Sequence, residues 1–105
     1  MAFDVITPTK LGVGAVGVTP TITTFYTTPA STRTLVKSID IANNSGAEIS
    51  VTVYLGATIL VPGVPVPSKS IFQWEGVQVL NAGDTVRAEA SASGVTLHVS
   101  GGEAV

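Results

Sequence analysis

His98 is the only histidine of this 105-residue chain, and the chain has no cysteine. A zinc site built on imidazole and thiolate needs several such ligands, and an activated nucleophile needs a base beside it. His98 lies in "VTLHVS", on the polar side of an alternating run, and reads as an ordinary exposed histidine. It would sense pH near neutrality only if it fell within an interface. The seven carboxylates, Asp4, Asp40, Glu48, Glu75, Asp84, Glu89 and Glu103, are scattered. Glycosidases set two carboxylates across a cleft and calcium loops set several at alternate positions; no local spacing here fits either. Serines and threonines are abundant, but no G-x-S-x-G elbow occurs. The glycine-rich "LGVGAVG" (residues 11–17) lacks the lysine and the strand-to-helix setting of a phosphate loop. No catalytic, cofactor-binding or metal-ligating residue is named on this reading. The expectation is a protein that is not an enzyme and needs no cofactor.

Two aromatic residues remain. Tyr54 and Trp74 could stack on the apolar face of a sugar, although a single tryptophan more often anchors a core or an interface. Both are candidate partner-binding residues.

The elements that would position these residues are strands. "EISVTVYL" sets Ile49, Val51, Val53 and Leu55 against Glu48, Ser50, Thr52 and Tyr54, the period of two of a half-buried antiparallel strand. "VTLHVS" repeats it with Val95, Leu97 and Val99 inward, and "TVRAEA" more weakly with Val86, Ala88 and Ala90. "TLVKSIDIA" places Leu35, Ile39 and Ile41 on one face with Lys37 among them, either near an open end or snorkelling past the core edge. "TITTFYTT" is rich in β-branched and aromatic residues, and "SIFQWEGVQVL" carries Gly76 where a bulge or bend is expected. "NNSG", "NAGD" and "SASG" supply turn residues of the kind that close hairpins. "VPGVPVP", with three prolines, reads as a loop or an extended edge. The expected fold is all-β: an antiparallel two-sheet β-sandwich of six to seven short strands over residues 21–101.

Residues 1–20 stand outside that scheme. "LGVGAVGVTP" is uncharged and glycine-rich, too short to cross a membrane and too apolar to hang in water. It is expected to be an extended N-terminal arm laying Leu11, Val13, Val16 and Val18 on another subunit; the alternative is a first strand folded back on its own core. Residues 102–105 are expected to form a C-terminal tail, since "GG" favours mobility over a docked strand. The N-terminus does not read as a signal peptide, because Asp4 sits where positive charge belongs.

Composition points to burial against something else. Hydrophobic residues make up 45% and charged residues 11%, where roughly 25% charged is ordinary for soluble domains. Such a surface suits a protein covered by a partner; the alternative is a small β domain whose surface is serine and threonine. The net charge is −2 and the five bases are dispersed, so no stripe exists to neutralise phosphates and nucleic acid is not expected as a partner. No stretch approaches the ~20 apolar residues of a membrane span.

Two stretches, "FYTTPASTRTLVKSIDIANNSGAEISVTVYL" and "VPSKSIFQWEGVQVLNAGDTVRAEASASGVTLHVSG", resemble small structural proteins of tailed bacteriophages. The shared phrases are of the form Y-T-x-P-A-x-T-x-x-x-V-K-S-I and x-G-V-x-L-N-A-G-D-T-V-R, and the likeness spans about residues 25 to 101. The resemblance implies a virion component made in the host bacterial cytoplasm. Foremost is a capsid decoration protein binding the major capsid protein or other virion proteins, as a homo-oligomer with a trimer favoured by lattice three-fold axes. The alternatives are a tail or fibre-associated protein, or a carbohydrate-binding adsorption module. The resemblance brings no catalytic residues with it.

Overall fold

The computed structural model describes residues 6–104, with side chains from residue 10 onward. Eight strands fill it: β1 (Ile6–Ala15), β2 (Thr23–Thr27), β3 (Arg33–Asn43), β4 (Ile49–Leu55), β5 (Thr58–Val66), β6 (Ile71–Leu80), β7 (Thr85–Ala90) and β8 (Val95–Ala104). They form two four-stranded antiparallel sheets, in the orders β1-β8-β3-β6 and β2-β7-β4-β5. This order is that of a jelly roll, two interlocked Greek keys closed as a sandwich. The expected all-β antiparallel sandwich is therefore present, with eight strands rather than six or seven. The additional strands are β1 and β5.

The turn-rich junctions depart from the hairpins expected of them. "NNSG" leads from β3 in one sheet to β4 in the other, and "NAGD" and "SASG" likewise carry the chain between sheets. Among the described residues only β4 and β5 form a tight hairpin, in which Leu55 faces Thr58 and Gly56 takes φ +62°. The same turn residues serve an arch or a hairpin, so the neighbour is chosen by the faces that must be buried. One arch is pinned from inside. Buried Asn43 donates to the carbonyls of Ala47 and Val66 at 2.8 and 2.9 Å, while its Oδ1 accepts from the backbone and the hydroxyl of Ser45.

Between the sheets lies a core of mainly β-branched side chains: Val36, Ile39, Ile41, Leu97 and Val99 from one sheet, Val51, Val53, Val61, Val66 and Val86 from the other. β4, β7 and the first half of β8 alternate as their sequences demand. β3 does not. Lys37 is an extra residue between Val36 and Ser38 relative to β8, so the inward set is Thr34 and Val36 before it and Ile39, Ile41 and Asn43 after it. Leu35 is displaced from the expected inner face and Lys37 is exposed, because the bulge reverses the phase of the strand. β1 bulges at the same level, with Leu11 extra between Lys10 and Gly12, and β6 is irregular around Gly76 as expected.

β8 crosses this line of bulges at Ser100 and Gly101, and it continues through Gly101 and Gly102 to Ala104. The expected tail is thus, up to Ala104, a strand between β1 and β3; Val105 lies outside the described residues. A Cβ at Gly101 would stand 1.8 Å from the carbonyl oxygen of Leu35. Glycine is required there by backbone approach, not by mobility.

The expected arm is corrected in the same way. Residues 6–15 are β1, paired along their length with β8, and residues 1–5 lie outside the described residues. Beyond β1 the chain passes to the other sheet: the Val16 N–H donates to the Val95 carbonyl, then Ala90 and Thr19 donate to Gly17 and Ala90. This passage, with β1 and β2 in contact, closes one flank of the sandwich. At Gly12 and Gly17 a Cβ would meet Phe25 and Thr23 at 2.8 and 2.7 Å, so the glycines permit the close crossing. β5, with Pro62 and Pro65, lies at the edge of its sheet, where a missing N–H costs least.

Candidate functional site

Of the four apolar residues expected to face a partner from the N-terminal segment, Leu11 and Val16 are buried in this chain's own sandwich. Val13 and Val18 remain exposed, at 55% and 41%. The segment therefore divides its apolar residues: Leu11, the bulged residue, and Val16 close the core in cis, while Val13 and Val18 are open to a partner.

Tyr54 and Trp74 point in different directions. Tyr54 projects from the outer face of β4, with the Arg87 guanidinium 5.4 Å from its ring centroid. Partial desolvation on that face, and then the Glu89 carboxylate, hold its phenol above the ordinary tyrosine pKa. Trp74 is half-buried on the inner face of β6 and packs against the core, with its ring over Gly76. Sandwiched between the sheets, it shares no platform with Tyr54.

The outer face of the first sheet assembles a group that sequence reading did not join. Register sets Asp40 opposite His98 and Ser38 opposite Ser100. The serine hydroxyls hydrogen-bond one another at 2.6 Å, and Asp40 Oδ1 is covered without a hydrogen-bond partner. A charge-relay arrangement requires a serine hydroxyl held by the imidazole, whereas here each serine holds the other. Alternation had put these residues on polar faces, but which strands are neighbours was not visible in it.

At one end of the interior, a polar tie spans the sheets. The Tyr26 hydroxyl of β2 donates to Glu103 of β8, and the Thr34 hydroxyl of β3 donates to Tyr26 at 2.8 Å. Burial, then the Glu103 carboxylate, push the Tyr26 pKa up to about 12. Three strands from both sheets are joined by one phenol, which makes this a structural fastening.

The remaining feature is the flank opposite the closed one, between the edge strands β5 and β6. On β6, Ile71, Val77 and Val79 are 69%, 56% and 51% exposed, whereas Ile59 of β5, 52% exposed, faces outward from the other sheet beside Tyr54. An open cleft of about 190 Å³ lies at the end of this flank, lined by Leu55, Leu60, Val79, Leu80, Gln78 and Asp84 among others. Small-molecule sites usually enclose ~300–1,000 Å³; this one is sized for a side chain. Asp84 is already engaged, accepting the Asn81 N–H at 3.0 Å. β6 carries more exposed large apolar side chains than any other strand described, with Gln73 and Glu75 standing between Ile71 and Val77. Sequence reading missed it because Ile71, Val77 and Val79 sit in the least regular of the strand signals. No family model matches the chain, and no curated protein matches it.

Proposed function

We propose that this chain is a non-enzymatic structural protein that builds into a larger protein assembly. Its resemblance to small structural proteins of tailed bacteriophages makes that assembly a virion, and capsid decoration the specific role. The observation that carries the reading is the set of exposed apolar side chains on β6, Ile71, Val77 and Val79, on a chain with only 11% charged residues. Exposed apolar residues gathered on one edge mark a surface meant to be covered. The jelly roll agrees with this, since the fold serves viral capsid proteins, and it serves lectins too, so the argument rests on the surface rather than on the fold.

A decoration protein acts by bridging neighbouring capsid subunits, so that expansion or internal pressure must break additional contacts. Each copy needs only a modest interface, because lattice symmetry repeats it. The exposed Val13 and Val18 and the β5–β6 flank lie on opposite sides of the sandwich, which suits a bridge.

The test is location. Heads and tails of the phage encoding the chain are separated, and the chain is quantified in each against the major capsid protein by mass spectrometry. The expected result is a copy number comparable to the capsid protein, in heads. A few copies found only with tails would move the role to the tail or to adsorption, and absence from both would end the virion reading.

A further inference from the structure

We infer that β6 pairs edge to edge with β6 of a second copy of this chain, in an antiparallel register centred on Gln73. The four sheet edges differ in how they resist such pairing. β5 carries Pro62 and Pro65 and two register shifts against β4. β2 has five residues and a bulge, and β1 contains Pro8, a bulge, and a flank closed against β2. Proline, shortness and bulges are the devices that stop edges from recruiting strands. β6 has ten residues, no proline, and a regular register with β3 from Ile71 to Glu75.

The free hydrogen-bonding groups of that stretch can be assigned. The Asn43 N–H donates to the Ser70 carbonyl, so Ser70 faces β3. Antiparallel alternation then turns Phe72 and Trp74 toward β3 as well, and leaves the N–H and C=O groups of Ile71, Gln73 and Glu75 on the open edge. A two-fold axis at Gln73 sets Ile71 opposite the partner's Glu75 and each Gln73 opposite the other. All three N–H groups of each copy then find a carbonyl.

Side chains favour the same register. On the inner side, Phe72 faces the partner's Trp74 twice over, joining two half-buried aromatics that already flank the core. On the outer side, the Gln73 amides face one another, and each Glu75 stem lies along an Ile71 that is otherwise 69% exposed. Shifting the axis to Glu75 would set like charges face to face. Shifting it to Trp74 would recruit Val77, beyond the irregularity at Gly76. The strand is its own complement in one register, and a second copy is the occupant that supplies it. The arrangement is two-fold, in place of the three-fold one that lattice symmetry suggests. A five-residue contact falls short of the ~800 Å² per partner of standard interfaces, so the dimer is a weak one that forms at high local concentration.

The experiment uses the purified full chain. Sedimentation equilibrium is expected to show the monomer mass at about 1 μM and a rise toward twice that mass by about 500 μM, the range of a sub-standard interface. Because the chain lacks cysteine, Gln73→Cys and Glu75→Cys each introduce a single exposed thiol. Paired Gln73 positions are ~5.5 Å apart, within disulfide reach, whereas Glu75 and its counterpart are offset by four residues, ~13 Å. Under mild oxidation Q73C is expected to cross-link at least tenfold faster than E75C. A monomer at every concentration overturns the proposal, as does equal or reversed cross-linking of the two variants. Since the readout is the isolated chain, failure here leaves the virion reading untouched, and the reverse also holds.

Discussion

Replacing Gly101 with alanine tests the central geometry of the fold. A methyl built there lies 1.8 Å from the Leu35 carbonyl oxygen and 3.2 Å from Leu11 Cδ1. Carbon and oxygen settle at about 3.3–3.6 Å, so β3 and β8 must part by roughly 1.5 Å at the line of bulges. The obstacle is backbone, which cannot swing aside as a long side chain would. Overpacking of this kind costs about 1–3 kcal/mol. Loss of one or two adjoining ladder hydrogen bonds adds about 0.5–1.5 kcal/mol each. The expected loss is therefore about 3–5 kcal/mol, a large part of the ~5–15 kcal/mol that holds a domain folded. Urea denaturation followed by tryptophan fluorescence of Trp74 measures it. With a slope of about 1–3 kcal/mol per molar, the midpoint should fall by about 2 M. Gly46→Ala is the control, because a Cβ there meets nothing within 4 Å, and it should stay within about 0.5 kcal/mol of the natural chain. If Gly101→Ala were equally silent, β8 would not lie where it is described, and residues 101 onward would be the mobile tail that the glycine pair suggested.

Leu11→Ala should lose about 2–5 kcal/mol in thermal or urea unfolding, because Leu11 is core and not a free anchor; a silent substitution would return this segment to a role in trans. Tyr26→Phe should lose about 1–2 kcal/mol through the broken tie to Thr34 and Glu103, read from the same curves. The folded Tyr26 stays protonated to about 12, whereas an unfolded tyrosine ionises near 10. Its contribution is thus full below pH 10 and is lost as the pH rises through about 12. Solvent access keeps that pH-linked share below about 1 kcal/mol, and the gap between the unfolding curves of the two proteins should narrow by that share across this window. A gap that persisted unchanged at pH 12 would show the tie to be independent of the phenol proton.

What the sequence determined by itself was the class of fold and the faces of its regular strands. Alternation in β4, β7 and β8 needs no partner to be legible, because side chains on a strand point to opposite sides whatever lies beyond. Prolines in residues 62–67 restricted that stretch to a loop or an edge, since a proline removes a ladder donor wherever it stands, and the structure makes it the edge strand β5. Scarcity of charge raised the expectation of a covered surface, which the proposed assembly role takes up. Tertiary structure decided the rest. Period two fixes a face but not a neighbour, so the sequence could not tell an arch from a hairpin after Asn43, nor bring Asp40 to His98. A bulge is a relation between two strands, so the phase reversal at Lys37 was invisible along one. Glycine leaves the same mark whether it frees the backbone or lets another strand approach. Only with Leu35 seen against Gly101, and Phe25 against Gly12, did the glycine-rich ends prove to be where the sandwich is most tightly closed.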